Sequence, residues 1–200
     1  MKVLVVSKTK VGSKICVGAL AADNTSLRLL SPDGNYQPSN TSLDVGDIWE
    51  MKYTAPRDPW PPPHVENVLV QEMRYLGKQE NLAQHLLGRV APWRGGPRRL
   101  YDGQLGFTSS SSGYIQAPDI PPVSTGYWIS DVDLVFEDNY YWYRRGPAQC
   151  RMSYVGIASP APVIPRSTLV RVSLARWWKQ NDADESFPER CYLQLSGWYE

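Results

Sequence analysis

The sequence predicts an all-β protein with one or two short helices. Its apolar residues fall mainly in runs of strand length, and many of these runs alternate apolar with polar residues. Turn-forming residues separate the runs, since 15 Gly and 17 Pro are spread over 200 residues. Each half of the chain holds about five such runs, which suits two tandem small OB-like β-barrels. One larger β-sandwich is the alternative.

The first half contains five predicted strands and one predicted helix. The strands are expected at residues 2–7, 15–20, 26–30, 47–54 and 64–76. Residues 56–63 include five prolines, so they predict a stiff extended link. The spacing of leucines in residues 79–90 predicts the helix.

The second half is expected to begin after a segment rich in Gly, Pro and Ser. We therefore predict an N-terminal barrel over 1–110, a linker over 111–126 and a C-terminal barrel over 127–200. A polar acidic loop is expected at 181–188. The strands of the second barrel are expected at residues 128–136, 139–144, 151–159, 169–178 and 190–199.

Composition restricts the class of protein. The net charge is +1, so a basic surface would have to be local. The three cysteines show no metal-ligand spacing, and they predict buried free thiols in a reducing cytoplasm. The sequence has no signal-peptide pattern and no apolar run near the roughly 20 residues of a membrane helix. We therefore expect a cytoplasmic protein without a membrane segment.

Catalytic patterns are missing from the sequence. The two histidines, His64 and His85, lie in no recognisable triad or metal-binding pattern. Asp131 and Asp133 fit a strand edge better than a metal site, and residues 9–14 lack the spacing of a P-loop. We expect no catalytic residue, metal or cofactor, so the protein is not predicted to be an enzyme. An unrecognised enzyme site remains a third alternative.

The first candidate binding surface lies on the last two predicted strands. It combines Arg176 and Trp178 with further arginines, tryptophans and tyrosines of residues 171–198. Exposed aromatic rings beside cations are typical of surfaces that bind single-stranded nucleic acid. The alternative is that both Trp177 and Trp178 fill the core while Arg176 forms an ion pair with Glu189 or Asp184.

The second candidate is the segment 92–101, the most basic stretch of the chain. It carries Trp93, Arg94, Arg98 and Arg99 on a predicted flexible Gly/Pro loop with no acidic residue between Trp93 and Tyr101. Arginine can contact phosphate with two parallel hydrogen bonds, and glycine allows close backbone approach. We expect the main phosphate contacts here. A solvated inter-domain loop is the alternative.

Two smaller basic candidates complete the set. Lys8 and Lys10 are expected in the loop between the first two strands, where OB barrels often hold nucleic acid. Tyr143 lies in a run of four aromatic residues that must place two rings on each face of a strand, and Arg144 and Arg145 follow it. Solvated lysines and core aromatics are the alternatives.

Several segments together resemble a known bacterial family. They include Lys2-Val3-Leu4-Val5-Val6-Ser7-Lys8-Thr9, Leu27-Arg28-Leu29-Leu30, Ser173-Leu174-Ala175-Arg176-Trp177-Trp178 and Gln194-Leu195-Ser196-Gly197-Trp198-Tyr199. As a set they resemble the dual OB-containing domain proteins, in which two OB-like barrels occur in tandem over about this length. The resemblance implies nucleic-acid binding, often in bacterial defence or conflict systems.

The sequence thus predicts a non-catalytic protein that binds nucleic acid, with single strands favoured. Phosphates would contact the arginines and lysines named above, and bases would stack on Trp178, Trp93 or Tyr143. The rival prediction is a protein-interaction module, an accessory subunit of a larger bacterial complex, because Tyr, Trp and Arg also favour protein interfaces.

Overall fold

The computed structural model describes residues 1–179 and 187–200. Most of the predicted acidic loop 181–188 lies outside the described residues, as does Asp184. The described chain is built from strands with one short helix and one 3₁₀ segment, so the all-β prediction is confirmed. Among the described residues, no helix is both long and apolar enough to span a membrane.

The first five strands close into a barrel. They are β1 (Lys2–Val11), β2 (Lys14–Ala21), β3 (Ser26–Leu30), β4 (Asp47–Thr54) and β5 (Asn67–Lys78). Their order around the barrel is β1-β2-β3-β5-β4, with β4 paired back to β1 and β3 parallel to β5. A closed five-stranded sheet with one parallel pair matches the predicted OB-like barrel.

Two strands of the first barrel differ clearly from prediction, and one of them is β5, which spans Asn67–Lys78 instead of residues 64–76. β1 continues to Val11 instead of stopping at residue 7, so Lys8 and Lys10 lie in a strand and not in a loop. The hairpin tip is Gly12-Ser13, where Gly12 has φ of 60°. The proline-rich residues 56–63 connect β4 to β5 as predicted for a non-strand segment.

The predicted helix is shorter than expected. Helix α1 spans Leu82–Leu87, whereas residues 79–90 were predicted. Asn81, directly before it, adopts the left-handed conformation with φ of 49°, which interrupts a helix at that point. The 3₁₀ segment Pro97–Gly103 falls in the predicted Gly/Pro loop and is kinked at Leu100, Tyr101 and Asp102.

Ten strands form a second, larger sheet, which fits an OB-like second half. They are β6 (Trp93–Arg94), β7 (Gly106–Phe107), β8 (Gly113–Ile115), β9 (Thr125–Ile129), β10 (Leu134–Glu137), β11 (Tyr140–Arg145), β12 (Ala148–Tyr154), β13 (Val163–Ile164), β14 (Leu169–Leu174) and β15 (Cys191–Tyr199). The main path runs β13-β10-β11-β12-β15-β14-β9-β6, and β8 joins β7 to β15.

Three predicted strands of the second half are corrected, the first being the strand predicted over 151–159, which is β12 (Ala148–Tyr154). Residues 128–136 form two strands because Ser130 turns the chain: its hydroxyl donates to the Val132 carbonyl and accepts from the Val132 N–H. The strand predicted over 169–178 ends at Leu174, and Trp178 is joined to Arg190 by an isolated bridge.

The division into residues 1–110, 111–126 and 127–200 stays a prediction. In the structure, strands from different predicted segments pair with one another. β6 pairs with β9, and β8, within the predicted linker, pairs with β15. Residues 93–115 therefore contribute strands to the second sheet.

The first barrel and the second sheet share an apolar core. Leu4, Val6, Leu20 and Leu86 from the first half pack with apolar side chains of the second half. The partners from the second sheet are Tyr127, Ile129, Leu169 and Tyr199. Backbone hydrogen bonds add to this contact, since the Lys10 N–H donates to the Val155 carbonyl at 3.0 Å. A cleft lined by both halves lies beside this junction.

Candidate binding surfaces

One face of the second sheet combines three aromatic rings with an arginine; Trp178 is exposed and the other three side chains are half-buried. We call it the aromatic surface; it comprises Trp178, Tyr192, Tyr114 and Arg190. The Trp178 ring lies 5.9 Å from that of Tyr192, which lies 6.2 Å from that of Tyr114. The Arg190 guanidinium lies 4.0 Å from the centre of the Tyr114 ring. Trp178 is 50% exposed.

Strand register builds this surface. Tyr114 on β8 lies directly opposite Tyr192 on β15, so both side chains leave the sheet on the same face. Gly106 on β7 lies opposite Tyr114, and a Cβ atom at Gly106 would come within 2.7 Å of the tyrosine ring. The glycine therefore leaves the space in which the Tyr114 ring lies.

The structure separates the two adjacent tryptophans. Trp177 packs against the core of the second sheet, and its indole N–H donates to the Pro62 carbonyl at 2.8 Å. Trp178 is exposed instead. The sequence left open which of the two rings is accessible, and the structure shows that it is Trp178.

The predicted phosphate-binding arginines lie on an anchored segment. Arg94, Arg98 and Arg99 are exposed, and within residues 1–179 and 187–200 no carboxylate forms an ion pair with any of them. The Arg98 guanidinium lies 5.0 Å from the centre of the Phe107 ring. The segment is not a free loop, because Leu100 and Tyr101 are buried in the core.

Trp93 holds one end of this segment. Its ring lies 4.9 Å from that of Tyr101, and its indole N–H donates to Asp102 at 3.1 Å. The ring also covers Gly126 on the neighbouring strand. These contacts give Trp93 a packing role and leave it only half-buried.

Four other predicted binding residues have their charged or hydroxyl groups bound to carboxylates of the protein itself. Lys8 is buried and its ammonium donates to Asp44 at 2.6 Å. Tyr143 is 2% exposed and donates its hydroxyl proton to Asp131, so its ring cannot stack with a base. Arg144 makes two hydrogen bonds to Glu137, and Arg145 pairs with Asp131. These ion pairs join side chains on separate segments, and the local sequence did not reveal them.

The remaining two predicted residues, Lys10 and Arg176, line the cleft between the halves. Arg176 lies 3.8 Å from the centre of the Trp60 ring, at the proline-rich segment. The predicted ion pair with Glu189 is not formed, and Asp184 lies outside the described residues.

The cleft has a volume of about 280 Å³ and contains two further arginines: Arg171, which the sequence placed in the first candidate surface, and Arg28, which it did not single out. Arg28 and Arg171 line it, and both are buried; among the residues that the structure describes, Glu66 is the one carboxylate in the lining. Arg28 donates to Asn67 at 2.9 Å and to Ser124 at 3.1 Å. Both Arg28 and Arg171 occur within apolar strand runs. An arginine in such a run was the sequence signal that could have indicated a buried charge.

A cysteine and a histidine meet at the edge of this cleft. The Cys191 sulfur lies 3.8 Å from His64 Nε2, a pairing that sequence spacing did not indicate. Burial raises the pKa of Cys191 to about 12 and lowers that of His64 to about 4. Both groups are therefore neutral near pH 7, which is not the thiolate–imidazolium state of a cysteine nucleophile.

Comparison with known families agrees with this architecture. The family model of the dual OB-containing domain matches residues 1–198. The chain belongs to the dual OB-containing domain family. No curated protein and no solved structure matches it. In this dual OB-containing chain, the closed five-stranded barrel and the large second sheet account for the two units that the family description names.

Proposed function

We propose that the protein binds single-stranded nucleic acid, without catalysing a reaction, on the aromatic surface of its second sheet. The observation that carries this proposal is the half-exposed Trp178 ring at the end of the Tyr192, Tyr114 and Arg190 group. A base can stack on an exposed aromatic ring whatever its identity, so we expect weak sequence preference.

Phosphate contacts are assigned to Arg94, Arg98 and Arg99. Their guanidinium groups are exposed and have no carboxylate partner in the described chain, so a phosphate would not compete with an internal ion pair. Membership of the dual OB-containing domain family supports nucleic-acid binding in general, since OB folds commonly bind nucleic acid. The bacterial defence role that the family resemblance implies stays a prediction.

Fluorescence anisotropy with labelled single-stranded DNA, single-stranded RNA and duplex, each at two salt concentrations, tests the proposal. Replacing Trp178 with Ala should weaken binding roughly 5- to 150-fold, as expected for losing 1–3 kcal/mol of stacking. Tyr75→Ala is the matched control, because Tyr75 is also half exposed but lies on β5 of the first barrel.

The arginine assignment is tested by the salt dependence. The triple variant Arg94→Gln, Arg98→Gln, Arg99→Gln should bind more weakly and with a shallower dependence on salt, since fewer counterions are released. Arg74→Gln, which removes an arginine paired with Glu50, should leave the slope unchanged. If wild-type protein fails to bind at low salt, the proposal is wrong and the interaction-module alternative is favoured.

A further inference from the structure

The cleft between the first barrel and the second sheet holds an excess of positive charge. Within residues 1–179 and 187–200, its charged lining consists of Lys10, Arg28, Arg171 and Arg176 against the single carboxylate of Glu66. Glu66 accepts from the Ser124 N–H at 2.5 Å and lies 3.9 Å from Arg28. The Glu66 carboxylate is therefore already in contact with Arg28 and Ser124. Lys10, Arg171 and Arg176 remain without an ion-pair partner within the described ranges.

Arg171 is the most informative of these cations. It is 5% exposed, and no carboxylate in residues 1–179 and 187–200 forms an ion pair with it. A buried charge without an opposite charge is costly, so an anionic ligand would stabilise it. Glycine at position 18 leaves it room, since a Cβ atom there would lie 2.9 Å from the guanidinium.

Irregular strand pairing marks both walls of the cleft. The β14–β15 register shifts between Arg171 and Val172, and the β1–β2 register shifts between Val5 and Ser7. Such bulges redirect side chains and are enriched beside functional sites. Here they occur at Arg171 and Ser7, both of which line the cleft.

An unpaired hydroxyl group points to a missing partner at the same place. Thr125 lines the cleft and is buried, yet its hydroxyl has no hydrogen-bond partner in the described chain. Tyr127, two residues further along the same strand, is buried; burial raises the pKa of its hydroxyl, and the charge of Arg171 opposes that rise. Buried polar groups are normally satisfied, so a bound ligand or ordered water is expected here.

The position of the cleft on the first barrel is also informative. OB barrels use the face of their second and third strands and the loops after strands one and four for ligands. In this chain those elements supply Cys16, Gly18 and Arg28 from β2 and β3, and His64 and Glu66 from the segment before β5. The second sheet covers this face and adds Arg171 and Arg176.

We propose that the cleft binds a small phosphate monoester, with the phosphate dianion at Arg171 and the organic part toward Tyr36 and Arg176. The excess of three cationic side chains suits a dianion. A cavity of about 280 Å³ is larger than a bare phosphate requires and lies near the lower limit of small-molecule sites. This site is independent of the proposed strand-binding surface, because it shares no residue with Trp178, Arg94, Arg98 or Arg99.

Isothermal titration calorimetry of the whole chain with four probes tests the site. Three probes carry the phosphate group on different molecules: inorganic phosphate, ribose 5-phosphate and a nucleoside 5′-monophosphate. The fourth, the unphosphorylated nucleoside, is the negative probe. We expect at least one phosphate monoester to bind more tightly than inorganic phosphate, and the nucleoside not to bind. Equal or absent binding of all four probes would overturn the proposal.

Two variants locate the site. Arg171→Gln should weaken binding of the phosphate monoester about 10- to 100-fold, as expected for losing charge-assisted hydrogen bonds. Because Arg171 is buried, Lys10→Gln is the second variant: Lys10 is exposed at the mouth and its loss should weaken binding several-fold without affecting folding. Arg98→Gln, outside the cleft, is the control, and unchanged binding in Arg171→Gln and Lys10→Gln would refute the site.

Alkylation of Cys16 gives a second readout. Cys16 lines the cleft and is partly exposed, whereas Cys150 and Cys191 are buried and burial raises the pKa of each thiol to about 12. We expect the bound phosphate monoester to slow labelling of Cys16, detected by mass spectrometry. Trp178→Ala should keep this protection, so failure of the strand-binding proposal would be distinguishable from failure of this one.

Discussion

His64 links pH to stability at the scale of a single residue. It is buried between the halves, where its Nε2 lies 3.1 Å from the Ala175 carbonyl and its Nδ1 lies 3.4 Å from Arg28. Burial is the main reason that its pKa falls from 6.5 to about 4, and the positive charge of Arg28 lowers it further. The folded protein therefore binds fewer protons at this site than the unfolded chain does.

We predict that the protein loses stability as the pH falls from about 6.5 toward 4. The unfolded state takes up the proton first, so lowering the pH from 7.5 to 5.0 should remove about 2 kcal/mol from the free energy of unfolding. Urea denaturation at the two pH values measures the loss. The substitution His64→Gln should reduce this pH dependence, while His85→Gln, at the other histidine of the chain, should retain it.

The sequence predicted the exposure of some individual residues but not which carboxylates pair with the basic ones. Exposed arginines at Arg94, Arg98 and Arg99 follow from local composition, whereas only the structure shows that Trp178 and not Trp177 is the exposed ring. By contrast, the pairing of Lys8 with Asp44 joins positions 36 residues apart, and that of Arg145 with Asp131 joins positions 14 apart. Such partners depend on strand register, which local patterns do not specify.

At the scale of elements, the short strand β6 is held by close packing on β9. Trp93 lies over Gly126, and a Cβ atom at Gly126 would collide with the indole ring. The same strand pairing places Arg94 opposite Ile129 at the sheet edge. The position of the arginine segment therefore depends on a glycine in the neighbouring strand.

We predict that Gly126→Ala destabilises the protein by about 1–3 kcal/mol, because the added methyl group must displace Trp93. Gly197→Ala is the matched control: Gly197 lies in β15, and no atom would come within 4 Å of its Cβ. Thermal and urea denaturation of both variants measure the difference. Equal stability of the two variants would show that Trp93 is not packed as described.

Element boundaries show where sequence patterns are reliable. Strands β3 and β4 lie at the predicted positions because apolar runs and flanking turn residues agree there. The helix is shortened by the left-handed Asn81, and residues 128–136 are divided by the Ser130 turn. In both places a polar side chain or backbone conformation overrides the apolar pattern.

At the scale of the whole molecule, the two halves share a core. The buried side chain of Leu86 in α1 packs there with residues of β1, β9, β14 and β15. The Tyr199 hydroxyl donates to the Val6 carbonyl at 2.7 Å, although the two residues are 193 positions apart. We therefore expect the halves to unfold together.

Two measurements test the shared core: the stability of variants at two neighbouring leucines, and the coincidence of unfolding transitions followed by two probes. Leu86→Ala should cost about 2–5 kcal/mol, because Leu86 is 0% exposed, whereas Leu87→Ala should change stability by less than about 0.5 kcal/mol at 44% exposure. Urea unfolding followed by tryptophan fluorescence and by far-UV circular dichroism should give one coincident transition. Separate transitions in the wild-type protein would contradict a shared core.

The sequence by itself determined the all-β class, most strand positions, the exposed arginines of segment 92–101 and the resemblance to the dual OB-containing domain. These features depend on local composition and on alternation along single strands. The tertiary structure alone decided that Arg28, Arg171 and Arg176 meet in one cleft and that Tyr143 and Lys8 are occupied. The cleft depends on how β1, β2 and β3 pack against β14 and β15, whereas the contacts of Tyr143 with Asp131 and of Lys8 with Asp44 form within each half. In each case the partners lie far apart in the chain, and such contacts leave no local periodic signal.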